Sequence, residues 1–460
     1  MMNRKLSRLI LSLIAAGSFS THAASNHSTY NSSTNTTDLE NLYNLAIQND
    51  PLLRTAELTR QKSSFAIDGE KGRLLPQINA YFNLSAFVDS ESVESTYGGN
   101  GAIGNVGITL SQSIYTPAVQ AGIAIAGKNN ESAELLVTKA HEALIYRTTK
   151  SYFDVLRNQA LLETAKANEE ALGQYLSITQ HRNKAGTSSE IDLLQAQARK
   201  DQSEVAVLEA EVQYQLALDA LQTLSGQEFQ AVQPLKTDSY AAHFPNSASG
   251  MSWLDASMSN NRDIQLAGVA VERSKIELSR AKAGHKPTIS LQARLNQRFL
   301  GDIESTATGN SIDNNESLTS GDLALVMNVP IYSGSSLTAF VDIANSDVDI
   351  AYQILEQSRR ETHQNIRFAL RLAESSIKKV GAFQRNVNSQ EKALISVQKG
   401  YELGARNMSE VLDSTRDYYL SESQLYNAYF TYIESALLVK FLAGEISDQD
   451  IRSLNASIKK

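Results

Sequence analysis

Leu75-Pro76-Gln77-Ile78-Asn79-Ala80-Tyr81-Phe82-Asn83-Leu84-Ser85-Ala86-Phe87-Val88 is the stretch on which the fold turns. Ile78, Ala80, Phe82, Leu84, Ala86 and Val88 alternate with Gln77, Asn79, Tyr81, Asn83 and Ser85, so an extended chain has one apolar and one mostly polar face. Downstream, Val106, Ile108 and Leu110 alternate with Gly107, Thr109 and Ser111. In the second half, Ile289, Leu291, Ala293 and Leu295 alternate with Gln292, Arg294 and Asn296. Leu323, Leu325, Met327 and Val329 alternate with Ala324, Val326 and Asn328. Each run has the length of a transmembrane barrel strand, about 9–11 residues. A half-buried antiparallel sheet would show the same alternation. Four strands cannot close a barrel, for which about eight is the usual minimum. If they lie in a membrane, several chains must share one barrel.

The two strand pairs belong to a duplication. Asn49-Asp50-Pro51-Leu52 and Leu75-Pro76-Gln77-Ile78 are matched by Asn260-Asn261-Arg262-Asp263 and Lys286-Pro287-Thr288-Ile289 at an offset of 211. Ile114-Tyr115 matches Ile331-Tyr332 at 217, and Gly186 with Asp192-Leu193-Leu194 matches Gly404 with Glu410-Val411-Leu412 at 218. The offset grows mainly between the strand blocks, where a loop insertion is cheapest. Each copy is therefore a helix, a strand, a loop, a strand, a long helix, a turn and a long helix.

Proline placement fits that unit. The 7 prolines leave 118–233 and 331–460 free of any, as long helices require. Residues 130–184 carry no Gly or Pro except Gly173, enough for roughly 80 Å of helix. Beyond Gly186, Ile191, Leu194, Ala198, Val205, Leu208 and Val212 keep a 3-4 spacing, and Leu412, Tyr419, Tyr426 and Ile433 recur every seven residues. Both patterns indicate coiled-coil-like packing in helical hairpins with short Gly-containing tips.

Arg4, Lys5 and Arg8 precede an apolar run from Leu9 to Phe19 and a small-residue site at Thr21-His22-Ala23, the layout of a secretory signal. Its removal takes the net charge from −8 to −8 − 3 = −11, which disfavours sequence-independent nucleic-acid binding. Residues 25–37 are Ser, Thr or Asn at 11 of 13 places, a flexible polar tail. With no Cys there is neither disulfide nor thiol chemistry nor an N-terminal lipid acceptor. Composition excludes collagen, a disulfide scaffold and a polytopic helical membrane protein. The expected organisation is a signal over 1–23, the tail over 24–38, a helix over 39–75, a β-hairpin over 76–117 and a helical hairpin over 118–225. An equatorial link over 226–252 leads to the second helix over 253–286, β-hairpin over 287–332, helical hairpin over 333–443 and a C-terminal segment over 444–460.

Over essentially the whole mature length the chain resembles the TolC family of outer-membrane export channels. The resemblance is carried by the duplication, the Leu-Pro-Gln-Ile strand start, Tyr152-Phe153-Asp154-Val155-Leu156 and Gly186…Asp192-Leu193-Leu194. Above all it is carried by Gly400-Tyr401-Glu402-Leu403-Gly404-Ala405-Arg406…Glu410-Val411-Leu412-Asp413. It implies a mixed α and β fold in a homotrimer. Four strands per chain would complete a 12-stranded outer-membrane β-barrel that continues into a long periplasmic α-helical barrel. The partners implied are a periplasmic adaptor (membrane fusion) protein, an inner-membrane pump of ABC or RND type, and outer-membrane lipid, with no nucleic acid and no cofactor. The function implied is export of proteins by type I secretion or of small molecules by efflux, not catalysis.

The same resemblance assigns site residues. Glu410 and Asp413, at i and i+3, share a helix face and would point into the tunnel at its periplasmic end. Three chains would gather six such carboxylates into a self-repelling, cation-favouring constriction. Asp192, Tyr401 and Arg406 match the links that hold the entrance shut, while Ile191 and Glu410 depart from the family's usual residues there. Ala185-Gly186-Thr187 and Leu403-Gly404-Ala405 would form the hairpin tips that meet the adaptor, although a turn alone also explains the glycines. Arg294 and Arg298 fall on the polar strand face and would line the barrel lumen. The loops 89–105 and 299–321 hold Asp89, Glu91, Glu94, Asp302, Glu304, Asp313 and Glu316, which suits a cell-exterior mouth.

Other signals carry no function. Gly99-Asn100-Gly101-Ala102-Ile103-Gly104 matches a dinucleotide fingerprint but leads into a strand rather than a helix. The seven His are scattered without ligand spacing, and no nucleophile–base arrangement emerges. The rival to an export duct is a secreted, water-soluble coiled-coil adaptor or structural rod carrying a small sheet.

Overall fold

Each copy of the repeat starts with a helix that is cut and restarted. The computed structural model describes residues 36–87, 101–233, 250–300, 303–304, 311–312 and 318–458, all within the unit Thr36–Lys460. The signal segment, the tail as far as 35, and Asp89, Glu91, Glu94, Asp302, Asp313 and Glu316 lie outside the described residues. The short strand β1 (Thr36–Thr37) precedes helix α1 (Leu39–Asn49), and α2 spans Pro51–Gly72. Between the helices, Asp50 is extended and its carboxylate accepts from the Leu53 backbone N–H at 2.7 Å. Pro51 lacks a donor and suits the first helical place. A single helix was expected over 39–75; a capped restart divides it.

The second copy repeats the device with α5 (Gly250–Asn260), α6 (Arg262–Ala283) and Asn261 capping at 3.0 and 3.3 Å. The polar tail also ends earlier than expected. β1 pairs in parallel with β4 (Ala231–Val232), and Asp38 caps α1 through the Asn41 N–H at 2.8 Å.

The main sheet is antiparallel in the order β2 (Gln77–Phe87), β3 (Gly101–Tyr115), β5 (Thr288–Leu300) and β8 (Leu318–Asn328). β3 starts inside the expected loop 89–105 because Gly101 already pairs with Phe87. A two-stranded ribbon, β6 (Ile303–Glu304) with β7 (Ser311–Ile312), lies within 299–321. Register puts Asn79, Thr109, Arg294 and Asp322 in one cross-strand row and Ile78, Leu110, Ala293 and Leu323 in the next. Among the described residues no protein core covers the apolar face: Ile78 is 68% and Leu323 73% exposed. On the polar face Tyr81 lies over Gly107, where a Cβ would come within 2.7 Å of the ring, and its hydroxyl donates to Asn296 at 3.1 Å. Glycine is the residue that lets this ring cross the sheet.

Below the sheet run two helical hairpins, α3 (Pro117–Lys184) with α4 (Glu190–Ser225) and α7 (Ser336–Glu402) with α8 (Met408–Ala443). The 68 residues of α3 reach about 100 Å. A belt forms around its middle, where α1 and α9 (Asp448–Ile458) pack on the hairpins. Tyr152, Phe153, Val155 and Leu156 are buried there with Leu42, Leu221, Ile433 and Leu437. Tyr152 donates to the Gln233 carbonyl at 2.7 Å, and burial first, then the charge of Asp38, pushes its hydroxyl pKa up. Buried Asp50 meets Arg147 at 3.0 Å, and buried Glu142 meets Arg262 at 2.7 Å.

Leu412 and Ile433 of the seven-residue series are buried, with Tyr426 packed partly against the belt core. The 3-4 stripe of α4 behaves differently. Ile191, Leu194, Val205, Leu208 and Val212 are each more than half exposed, while Ala196, Ser203 and Val207 form the buried face. α4 thus has a second face, on which Ala196, Ser203 and Val207 meet the chain's own helices while the wide apolar stripe stays exposed.

Candidate functional site at the hairpin tips

Both hairpins turn in the same way. After α3, Ala185 remains helical and Gly186 has φ 72; Thr187 N–H returns to the Arg182 carbonyl at 2.8 Å. After α7, Leu403 remains helical and Gly404 has φ 74; Ala405 N–H returns to the Gly400 carbonyl at 2.8 Å. The positive φ is what a residue without a Cβ supplies. Ser189 caps α4 in a reciprocal box with Asp192, and Asn407 caps α8 through the Glu410 N–H at 2.9 Å.

The expected gate residues are all near these turns, yet among the described residues no two of Asp192, Tyr401 and Arg406 bond to each other. The Asp192 carboxylate accepts from the Ser189 N–H at 3.2 Å and the Ser188 hydroxyl at 3.3 Å, both within its own cap. Arg406 reaches Glu410 at 2.8 Å, its stem folded over Gly400, where a Cβ would come within 2.7 Å of it. Tyr401 receives a cation on its face: the Arg182 guanidinium carbon is 4.5 Å from the ring centroid.

Glu410 and Asp413, expected at the constriction, are likewise paired within one chain. Glu410 holds Arg406, while Asp413 meets Arg199 of α4 at 3.1 Å and Arg416 of its own helix at 3.5 Å. Gln398 of α7 also donates to the Tyr175 hydroxyl of α3. Beside these contacts Leu172, Ala196, Met408, Val411 and Leu412 make a small buried cluster joining the two hairpins. Sequence reasoning missed Arg199 and Arg182. The signal for Arg199 was its place three residues after Ala196 and seven after Asp192, on the same helix face. No signal pointed from Arg182 to Tyr401, because stacking across hairpins leaves no spacing rule.

Arg294 and Arg298 sit on the polar sheet face, Arg294 in register with Thr109 and Asp322 and Arg298 with Asn105 and Leu318. Among the described residues no group of His, Asp and Glu is disposed as a metal site, and no helix is long and apolar enough to cross a membrane.

A sheet with an uncovered apolar face, set above long duplicated helical hairpins, defines a subunit of an outer-membrane channel. The chain belongs to the family described as outer membrane efflux protein, whose profile matches residues 42–227 and 253–445, one span per repeat. It is 29% identical over 430 residues to outer membrane protein TolC of Vibrio cholerae, covering 92% of this chain and 94% of that protein. It is 22% identical over 432 residues to the proteases secretion protein PrtF of Dickeya chrysanthemi, covering 90% and 89%. In fold it resembles the crystal structure of the CmeC outer membrane channel of Campylobacter jejuni, with a TM-score of 0.75 at 16% identity over 95% of this chain and 94% of that one. The protein is an outer-membrane exit duct with a helical extension into the periplasm, in a family of channels rather than enzymes. The soluble rod or adaptor alternative is set aside by this membership.

Proposed function

We propose that three copies of the chain assemble into one duct, passing cargo handed over by an inner-membrane pump and a periplasmic adaptor. The observation that carries this is the sheet's incompleteness. β2 and β8 present open outer edges among the described residues, and the apolar face has no cover. Open edges of that length invite strand pairing, and closure is what removes them in lipid. Three copies give 3 × 4 = 12 strands, an even-numbered antiparallel barrel. The exposed stripe on α4 then has a neighbour to face. The relatives' printed names, protease secretion for PrtF and solvent or toluene efflux for SrpC and TtgI, support both protein and small-molecule cargo. On this reading Arg294 and Arg298 line the barrel lumen and the tips at Ala185-Gly186-Thr187 and Leu403-Gly404-Ala405 dock the adaptor. The tip region that holds Asp192, Tyr401, Arg406, Glu410 and Asp413 is the gate.

Membrane extraction tests the assembly. The duct requires detergent for release and runs as a heat-sensitive trimer on mild gels; a soluble monomer would refute it. For the gate, Arg406→Ser with Tyr401→Phe raises single-channel conductance in planar bilayers, and unchanged conductance would put the gate elsewhere. Glu410→Ala with Asp413→Ala abolishes cation preference; a preference that persists would remove these carboxylates from the constriction.

A further inference from the structure

We propose that Arg199 is the positioning residue of the tip gate: it ties the first hairpin to the second through Asp413 and offsets that carboxylate's charge until the hairpins part. This rests on the gate reading above. Asp192, Ala196, Arg199 and Ser203 follow one another at helical spacing along one face of α4. Ala196 and Ser203 are buried, and Ala196 packs with Met408, Val411 and Leu412 of α8. The small side chain brings the two helices together, and Arg199, one turn on, reaches Asp413 at 3.1 Å.

The charged contacts made within one hairpin cannot serve as the tie. Arg406–Glu410 and Arg416–Asp413 each join residues of one hairpin and travel with it. Asp192 is engaged in the cap of its own helix. Among the described residues near the tip, Arg199–Asp413 is the ion pair that crosses between hairpins. Arg182 over Tyr401 crosses beside it, again with the cation from the first hairpin.

Two consequences follow from this placement. First, the pair is weak enough to release: its side chains are 37% and 45% exposed, so water screens it, and three copies in a ring would act together. Second, opening changes the charge of the tunnel. While the hairpins touch, Arg199 offsets Asp413. Once they separate, Asp413 keeps only Arg416, which is shared with Asp417 at 2.9 Å. Conductance and cation preference therefore rise together when this latch breaks.

The test is planar-bilayer recording of the purified full chain under a KCl gradient, with oligomer integrity checked on mild gels. Arg199→Ala raises conductance roughly two- to fivefold, the weight of a half-exposed ion pair, and moves the reversal potential towards stronger cation preference. Arg199→Gln, which keeps most of the stem's packing, does the same. Asp413→Asn also raises conductance but moves the reversal potential the opposite way. The exchange Arg199→Asp with Asp413→Arg returns conductance towards the starting level. Conductance that rises with no selectivity shift, or an exchange that fails to restore it, would reduce Arg199 to a packing residue and overturn the proposal. If Arg199→Ala changes neither quantity while Arg406→Ser with Tyr401→Phe opens the channel, the latch falls and the gate stands. If neither set opens it, both fall.

Discussion

The belt and the tips are made from the same two helical hairpins, yet they are held by different kinds of contact. At the belt, a continuous apolar core runs from α1 through α3, α4 and α8 to α9, with Asp50–Arg147 and Glu142–Arg262 as largely buried ion pairs. At the tips, a cluster of five buried residues is bordered by half-exposed polar links, Arg199–Asp413 and Arg406–Glu410 among them. Breaking a buried pair strands a charge, whereas an exposed pair can exchange its partner for water. On the proposed reading, the difference separates a fixed collar from a releasable end on the same long helices.

The largest effect should come from the belt. Asp50→Ala removes both a helix cap and the partner of Arg147, and should cost about 2–3 kcal/mol, read from unfolding followed by circular dichroism in detergent. The equivalent change at the tip, Asp192→Ala, loses an exposed cap and should cost about 1 kcal/mol or less. Equal losses would erase the distinction between the regions.

The turn glycines sharpen it further. Gly444, with φ 68, would place a Cβ 2.5 Å from the Asn260 carbonyl, so Gly444→Ala must displace backbone. Gly404, with φ 74, has open space around it, so Gly404→Ala meets only the left-handed backbone penalty of about 1 kcal/mol. Gly444→Ala should therefore lower the melting temperature by more than twice as much as Gly404→Ala, about 2 kcal/mol or more in free energy.

The smallest effect lies between the regions, on α8. Burial first, and the charge of Glu391 second, push the Glu422 carboxyl above its ordinary value. The folded chain then prefers the protonated form, and the stability this group contributes falls as pH rises through the raised value. Glu422→Gln should melt slightly higher than the parent at neutral pH and lose that part of the pH dependence; a lower melting temperature would contradict the assignment.

Much of this was legible in the sequence because it is periodic. Alternation marked four strands, the absence of proline marked the long helices, and the offsets of 211 and 218 marked the duplication. What escaped is local or non-local in specific ways. The helix breaks at Asp50 and Asn261 depend on capping geometry, which a helical apolar pattern runs straight through. The start of β3 at Gly101 depends on pairing with Phe87, since glycine and asparagine at 101, 104 and 105 carry little strand signal of their own. On α4 the wide stripe from Ile191 to Val212 masked the narrower buried face of Ala196, Ser203 and Val207, because pattern alone does not say which of two faces meets the chain's own helices. At the site, the residues Tyr401, Arg406, Glu410 and Asp413 were locatable by motif. Their partners Arg182 and Arg199 are brought in by the packing of one repeat against the other, which no spacing within a repeat encodes.

Spin-label distances test the central contrast most directly, and a chain with no Cys accepts single labels cleanly. A label at Leu403→Cys reports the tip, and one at Ile47→Cys, on an exposed side of α1, reports the belt. In the assembled channel, adding Arg406→Ser with Tyr401→Phe should lengthen and broaden the distances between copies at Leu403 while leaving those at Ile47 unchanged. Distances that shift equally at both sites, or that stay fixed at Leu403, would contradict a releasable tip on a fixed collar.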